Sequence, residues 1–139
     1  MVEATQTKIR RVAVLGASGR MGSEAVKAIT DAPDFELVAA LGREDSLEKL
    51  VETNAEIMVD LTVPNSTETN VRFAVEHGVH AVVGTTGWTE ERVESLRELL
   101  DEHPQVGVLI APNFALGSIL ATEFAAKAAP YFESVEIIE

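Results

Sequence analysis

The stretch "VAVLGASGRMGSEAVKAI", residues 12–29, spaces three glycines three residues apart between an apolar run and a helical pattern. This Gly-x-x-Gly-x-x-Gly spacing, after a strand and at the start of a helix, is a variant of the dinucleotide-binding fingerprint. Gly16 allows a tight turn, Gly19 lets a pyrophosphate approach the backbone, and Gly22 lets the helix pack against the strand. We therefore predict that the first amides of the helix bind a diphosphate, helped by the Arg20 guanidinium. The alternative is a turn that binds nothing.

Short β-branched runs alternate with longer helical patterns along the chain. The strand candidates are residues 11–16, 35–41, 56–62, 79–85, 106–112 and 134–139, and the helix candidates are 20–31, 45–53, 65–77, 89–102 and 116–130. Asp45 and Asn65, each followed by a glutamate three residues later, predict helix N-caps, and Gly78 predicts a helix end. Strands separated by helices predict right-handed βαβ crossovers. The predicted fold class is α/β, a doubly wound, Rossmann-like parallel sheet in three layers.

The composition of the 139 residues restricts the classes of function. Hydrophobic residues make up 46% of the chain and aromatic residues only 5%, which is typical of a parallel sheet covered by helices. The formal net charge of −12 argues against nucleic-acid or anionic-membrane partners. The absence of cysteine excludes disulfides and thiolate chemistry. Because no apolar stretch reaches membrane-spanning length, we expect a soluble, cytoplasmic protein.

The carboxyl ends of parallel strands share one edge of a sheet, where ligands collect. Five strand–helix junctions fall there in the prediction, "GASGRMG" (16–22), "LGREDS" (41–46), "DLTVPNS" (60–66), "VGTTGWT" (83–89) and "APNFALG" (111–117). The small residues of "GTTG" and "APNF" would let backbone amides lie along a flat ring and bond a carboxamide, with Thr62 lining the same cleft. Each could also be an ordinary turn. Together they predict one continuous binding edge.

The end of the second strand bears on the choice of nicotinamide cofactor. An acidic residue at this place normally binds the adenosine ribose hydroxyls. Here the place is filled by Gly42 and then Arg43, which favours the 2′-phosphate of NADP with Arg43 as its partner. Glu44 could still reach a ribose hydroxyl, so NAD stays open, and Arg43 could be a solvated loop cation.

Acid–base candidates are few. Asp60 is the carboxylate nearest the predicted cleft, and we expect it to hydrogen-bond rather than to catalyse. Tyr131 suggests the tyrosine–lysine pair of short-chain dehydrogenases, but Val135 stands where the lysine would be. No spacing typical of a metal site is present. The histidines are expected to be structural or remote from the cleft, and they are His77, His80 and His103.

The motifs "VAVLGASGRMG", "VDLTVPNS", "HAVVGTTGWT", "LIAPNFALG" and "SVEIIE" resemble, in order and spacing, the 4-hydroxy-tetrahydrodipicolinate reductase (dihydrodipicolinate reductase) family. The resemblance runs from Arg11 to the end of the chain. It implies an NADH- or NADPH-dependent reductase of lysine and diaminopimelate biosynthesis, with hydride transfer to a cyclic dipicolinate precursor. The family often has an acidic residue where Gly42 stands. Its absence here leaves the cofactor preference open, weakens the case for NADH specificity and slightly favours NADPH.

The cofactor-binding residues that we predict combine these motifs with the cleft argument. They are Gly16, Ala17, Ser18, Gly19, Arg20, Met21, Arg43, Thr62, Gly84, Thr85, Thr86, Ala111, Pro112, Asn113 and Phe114.

The resemblance also implies a domain organisation. Residues 1–8 are expected to be disordered, 9–133 to form the dinucleotide-binding domain, and 134–139 to be the first strand of a substrate-binding and tetramer-forming domain. In the family, the catalytic His and Lys and a Ser-Gly-Thr motif follow that strand, so catalytic residues are expected beyond Glu139. The chain alone is then expected to be inactive. The alternative is a free-standing NAD(P)-binding module or sensor without chemistry.

Overall fold

The computed structural model describes residues 8–111, 113–136 and 138. Five parallel strands form one sheet in the order β2-β1-β3-β4-β5. They are β1 (Arg10–Leu15), β2 (Phe35–Leu41), β3 (Ile57–Asp60), β4 (His80–Val83) and β5 (Val108–Ile110). The doubly wound α/β fold that the alternating pattern predicts is confirmed.

The register of the strands aligns their carboxyl ends. Leu15 of β1 pairs with Leu41 of β2 on one side and with Asp60 of β3 on the other. The same row continues through Val83 to Ile110. All five following loops therefore leave the sheet at one edge, as the sequence predicts.

Helices cover both faces of the sheet. They are α1 (Arg20–Asp31), α2 (Lys49–Glu52), α3 (Pro64–Glu76), α4 (Glu90–Glu102) and α5 (Leu116–Ala128), followed by a 3₁₀ turn (Ala129–Tyr131). The chain moves from β1 to β2 in one direction and from β3 to β5 in the other. Right-handed crossovers therefore place α1 on the face opposite to α3 and α4. The strand order reverses between β1 and β3, which is where sheets of this type bind ligands.

The core consists of aliphatic side chains from the central strands and from α3. Val14, Met58 and Val83 are fully buried on the strands, and Val71 and Val75 are fully buried on α3. Aromatic side chains contribute little, in keeping with the composition. The most deeply buried part of the described chain therefore lies beneath the loops after β1 and β3.

Two predicted helix starts are wrong. Asp45 does not cap a helix over 45–53, because its carboxylate accepts from the Gly42 amide behind it and holds a turn. Helix α2 is reduced to the single turn Lys49–Glu52. Asn65 is not the cap of α3 either, since Pro64 occupies the first turn and Val63 precedes it as the N-cap residue. Gly78 does follow a helix end, with φ of +75°.

The C-terminal part of the described chain packs loosely. Helix α5 contains no buried residue. Ser134–Glu136 and Ile138 form no strand, and Ile137 and Glu139 lie outside the described residues, so the strand over 134–139 stays a prediction. None of the helices in the described ranges is long and apolar enough to span a lipid bilayer.

Candidate functional site

A cleft of about 360 Å³ opens at the carboxyl ends of β1, β2 and β3. It spans the point where the strand order reverses. Its polar and glycine lining comes from the three loops and from α3, and comprises Gly16, Ser18, Gly19, Gly42, Arg43, Asp45, Thr62, Ser66 and Asn70. Leucine and valine side chains complete the walls. A cleft with apolar walls and a few convergent polar groups is the usual form of a small-molecule site.

Glycine is required at one position of the loop after β1 and at one in the first turn of α1. Gly16 has φ of +77°, and a Cβ there would lie 2.3 Å from the Leu61 carbonyl oxygen. A Cβ on Gly22 would lie 1.9 Å from the Gly16 carbonyl oxygen. Both contacts are with backbone, which cannot rotate out of the way. The predicted role of Gly16 in the turn is therefore confirmed. Gly22 does allow close packing of α1, but the contact is with the loop that follows β1 rather than with the strand itself.

The amides of this loop divide into two groups. Gly16 and Ala17 donate to the Leu41 carbonyl at 2.9 and 3.1 Å, and Gly19 donates to the Gly16 carbonyl at 3.0 Å. Within the described residues, the amides of Ser18 and of residues 20–22 have no acceptor. The unpaired amides at the start of α1 are thus the donors available to a ligand.

The loop after β2 carries both charges of the cleft. Arg43 lines the cleft and makes no salt bridge with any described residue. Asp45 also lines it, with one carboxylate oxygen 2.5 Å from Lys49 Nζ and the other 2.8 Å from the Gly42 amide. Hydrogen bonds from the Lys49 ammonium and the Gly42 amide hold the pKa of the Asp45 carboxyl below its ordinary value. Glu44, the acidic residue that the sequence suggested here, does not line the cleft.

A buried polar cluster lies at the end of β3. Asp60 is fully buried, and its carboxylate accepts hydrogen bonds from the Thr62 amide and hydroxyl, the Thr85 hydroxyl and the Asn70 side-chain amide. The expected hydrogen-bonding role of Asp60 agrees with this geometry. Thr62 and Asn70 face the cleft, while Asp60 and Thr85 stand behind them.

The predicted binding residues are only partly brought together. Gly16, Ser18, Gly19, Arg43 and Thr62 line the cleft. The other predicted residues within the described ranges do not line it, namely Ala17, Arg20, Met21, Gly84, Thr85, Thr86, Ala111, Asn113 and Phe114. Pro112 lies outside the described residues. The binding edge is therefore not one continuous cleft in this structure, because the loops after β4 and β5 stand beside it.

The loop after β4 nevertheless contacts the wall of the cleft, and the loop after β5 contacts the loop after β4. The Thr62 amide donates to Thr85 Oγ1 at 2.9 Å. A Cβ on Gly84 would lie 2.6 Å from Leu61 Cδ2 and 2.9 Å from Phe114 Cε2, so the Phe114 ring approaches the backbone of Gly84. The loop after β4 is therefore hydrogen-bonded directly to Thr62.

The sequence interpretation missed three polar side chains of the cleft, those of Asp45, Ser66 and Asn70. A signal for Asn70 was present. Thr67, Asn70, Val71 and Ala74 share the buried face of α3, so a polar amide interrupts an otherwise helical apolar stripe. A buried polar side chain needs partners, and this one finds them at Asp60 and Thr62.

The histidines make contacts with neighbouring backbone and side chains. The His77 ring stacks on Phe73 with centroids 4.0 Å apart, and its Nδ1 lies 2.8 Å from the Phe73 carbonyl. His80 opens β4 at the edge opposite to the cleft, where its Nδ1 accepts from the Gly107 amide at 2.9 Å. Neither ring lines the cleft.

Comparison with known proteins agrees with this geometry. The family model described as "Dihydrodipicolinate reductase, N-terminus" matches residues 10–114. The 4-hydroxy-tetrahydrodipicolinate reductase of Streptomyces griseus subsp. griseus is 60% identical over 129 residues, which are 93% of this chain and 52% of that protein. The enzyme of the same name from Corynebacterium diphtheriae is 49% identical over the same coverage. The chain thus spans about half the length of the curated relatives it matches.

Solved structures show the same likeness. A dipicolinate-bound dihydrodipicolinate reductase from Paenisporosarcina sp. TG-14 superposes with a TM-score of 0.77 at 32% identity, covering 89% of this chain and 55% of that one. An apo scyllo-inositol dehydrogenase from Lactobacillus casei, at 13% identity and a TM-score of 0.66, shares the fold alone. The match over residues 10–114, together with the glycine loop and the cleft, means that this chain belongs to the dihydrodipicolinate reductase family and corresponds to its N-terminal part.

Proposed function

We propose that this chain is the NAD(P)H-binding part of a 4-hydroxy-tetrahydrodipicolinate reductase of lysine and diaminopimelate biosynthesis. The observation that carries the proposal is the cleft at the strand reversal, closed on one side by a glycine loop whose neighbouring helix amides are unpaired. Family membership supplies the reaction class. We also propose a cytoplasmic location, and the tetramer expected of the family stays a prediction.

The residues present fit a dinucleotide. The amides of Ser18 and of residues 20–22 supply donors, and the positive end of the α1 dipole adds to them. The exposed Arg20 guanidinium at the first residue of α1 supplies a local positive charge, which a protein of net charge −12 needs to hold a diphosphate. Gly16 lets the loop lie against the backbone after β3, and Gly22 lets the first turn of α1 lie against the loop, so the unpaired amides stay close to the cleft.

The two ends of the cleft suggest how the cofactor is oriented. Arg43 lies on the β2 side and, unpaired within the described residues, is suited to a 2′-phosphate. Thr62 lies on the β3 side, next to the loops after β4 and β5, where the nicotinamide end would then extend. When bound, a reduced nicotinamide supplies hydride. This chain's own part is to hold the cofactor in place and to exclude water from its apolar walls.

Titration of the 139-residue chain with NADPH and with NADH, followed by cofactor fluorescence, tests the proposal. We expect both to bind and NADPH to bind more tightly. Arg43→Ala should weaken NADPH binding by about tenfold and leave NADH nearly unchanged, because only NADPH carries the 2′-phosphate. Arg97→Ala is the matched control, since it removes an exposed cation from α4.

Each outcome of the titration has a distinct meaning. Failure of both nucleotides to bind would overturn the proposal. Equal losses for the two nucleotides in Arg43→Ala would remove the 2′-phosphate assignment alone. Binding without turnover on adding substrate supports a cofactor-binding part, whereas turnover would show that the catalytic residues lie within this chain.

A further inference from the structure

We propose that Asp60 is the positioning residue of the cleft, joining the loop after β3 to the loop after β4 so that both present one fixed wall to the nicotinamide cofactor. The inference deepens the proposed function and rests on it. Asp60 is fully buried, so its carboxylate acts through Thr62, Asn70 and Thr85 and does not touch a ligand.

Asp60 accepts hydrogen bonds at its carboxylate and at its main-chain carbonyl, and the Thr85 hydroxyl lies within reach of both, 3.2 Å from the carbonyl oxygen. Oδ1 accepts from the Thr62 amide at 3.0 Å, from the Thr62 hydroxyl at 2.5 Å and from the Thr85 hydroxyl at 3.1 Å. Oδ2 accepts from Asn70 Nδ2 at 3.2 Å. The Asn70 amide also reaches the Thr62 hydroxyl at 3.3 Å. In each of the bonds to its carboxylate, Asp60 is the acceptor.

The cluster connects three elements at the wall of the cleft. Thr62 belongs to the loop after β3, Thr85 to the loop after β4, and Asn70 to α3. The Thr62 amide donates to Asp60 Oδ1 and to Thr85 Oγ1 at once, so the two loops meet at a single N–H. Because Thr62 and Asn70 line the cleft, fixing them fixes its wall.

Stability alone does not account for a carboxylate at this position. Asp60 sits in a row of strand residues whose neighbours are Leu15 and Val83, both buried and apolar. No described cation forms a salt bridge with it, so its burial depends on neutral donors only. A buried charge is costly even when it is hydrogen-bonded, and an apolar residue would pack there at less cost. What the carboxylate contributes in return is the fixed geometry of two loops.

Asp60→Asn tests the inference with almost no change in volume. The asparagine oxygen can keep the three donors on the Thr62 and Thr85 side, but its NH₂ then faces the Asn70 NH₂ across the former 3.2 Å bond. The Asn70 amide relieves this contact only by turning its oxygen toward position 60, which removes its bond to the Thr62 hydroxyl, and the wall loosens. We expect the Kd for NADPH to rise by about tenfold and amide exchange at Thr62 to accelerate, while the circular dichroism spectrum stays that of the folded chain.

Exchanging the side chains at positions 60 and 70 tests whether NADPH binding can be rescued. In Asp60→Asn combined with Asn70→Asp, the donor and the acceptor trade places and the bond between positions 60 and 70 is restored. We expect this double variant to recover NADPH affinity to within about twofold of the unsubstituted chain. Asp101→Asn, on an exposed residue of α4, controls for the loss of one negative charge.

The outcomes separate this inference from the proposed function. If Asp60→Asn lowers the Tm but binds NADPH with unchanged Kd when folded, Asp60 is structural only and the inference is wrong. If Asp60→Asn does not fold, the double variant decides, since poor binding by a folded double variant also overturns the inference. If the unsubstituted chain binds neither nucleotide, the proposed function fails first and this assignment fails with it.

Discussion

Among the three glycines of the motif, at positions 16, 19 and 22, Gly22 has the least room for a side chain. A Cβ there would lie 1.9 Å from the Gly16 carbonyl oxygen and 2.6 Å from its carbonyl carbon. Gly16 is itself fixed, since its amide donates to the Leu41 carbonyl and its φ is positive. The first turn of α1 can therefore approach the loop this closely only because position 22 has no side chain.

Gly22→Ala should destabilise the fold, because α1 must move away from the loop to admit the methyl group. We expect a loss of about 2 kcal/mol in the free energy of unfolding, measured by urea denaturation. Gly117→Ala on α5 is the control, because a Cβ there meets nothing within 4 Å. That variant should gain stability or stay unchanged, owing to the higher helix propensity of alanine. Equal effects of the two substitutions would contradict the close approach at Gly22.

Glu56 gives the fold a dependence on acid pH. Its carboxylate accepts from the Arg11 amide at 3.0 Å and forms salt bridges with Lys8, Arg10 and Arg11. The bond from the Arg11 amide, followed by that from the Lys8 ammonium, lowers the pKa of Glu56 from its ordinary 4.5 to about 2. A lowered pKa in the folded state means that ionised Glu56 stabilises the fold above pH 4.5. This contribution is lost as the pH falls from 4.5 to about 2.

Glu56→Gln should therefore be less stable than the unsubstituted chain at neutral pH, and the difference should shrink between pH 4.5 and about 2. Denaturation midpoints measured across that range check the expectation. Glu98→Gln serves as the control, since Glu98 makes no salt bridge with a described residue. A difference between the Glu56→Gln and unsubstituted chains that stays constant across the range would contradict the ionic role.

At the scale of elements, Arg92 joins the starts of α3 and α4 to the loop between β4 and α4. Its Nη1 donates to the Gly87 carbonyl at 3.0 Å and to the Pro64 carbonyl at 3.1 Å, and its Nε lies 3.1 Å from the Glu68 carboxylate. The planar guanidinium is suited to such divergent acceptors. Gly87, with φ of +92°, packs against Pro64 at the same place.

Arg92→Ala should release that loop. We expect a loss of about 1 kcal/mol in stability, since the side chain is partly exposed, and faster amide exchange over residues 84–89. Arg97→Ala is the matched control, because its one salt bridge, to Glu94 on the same helix, is more exposed. If both variants exchange alike over 84–89, the loop is held by other contacts.

The elements themselves were largely predictable from sequence because their signals are local. Helix α1 has the predicted limits of residues 20–31, since a glycine precedes it and its apolar residues recur at helical spacing. The start of α2 was not predictable, because the Asp45 carboxylate has two competing uses. It could cap a helix ahead of it or bond the Gly42 amide behind it, and the Lys49 ammonium favours the turn.

Site residues were predictable from sequence only where a motif within a single loop identified them. Gly16, Ser18 and Gly19 followed from spacing, and Arg43 and Thr62 from their places after strands. Asn70 reaches the cleft from within a helix, through contacts with residues eight and ten positions earlier in the chain. Those contacts depend on how α3 packs against β3, which no local pattern specifies.

At the scale of the whole molecule, burial is unevenly distributed. The central strands and α3 hold most of the fully buried side chains, and α3 alone buries five residues. Helix α5 buries none, and its apolar side chains Leu116, Ile119 and Phe124 are 71%, 53% and 62% exposed. Tertiary packing supplies most of the stability of a helix. Helices α3 and α5 are equal in length but differ sharply in how much packing stabilises them.

Hydrogen exchange should reveal this difference directly. We expect the amides of α5 to exchange by local opening, far faster than those of α3, which require opening of the core. Hydrogen exchange measured by mass spectrometry at two concentrations of the chain checks the expectation. Two concentrations are needed because exposed apolar side chains favour self-association. Protection of α5 that rises with concentration would mean that a second copy covers the helix. Protection equal to that of α3 in the monomer would contradict the loose packing, because α5 buries no residue against the described part of the chain.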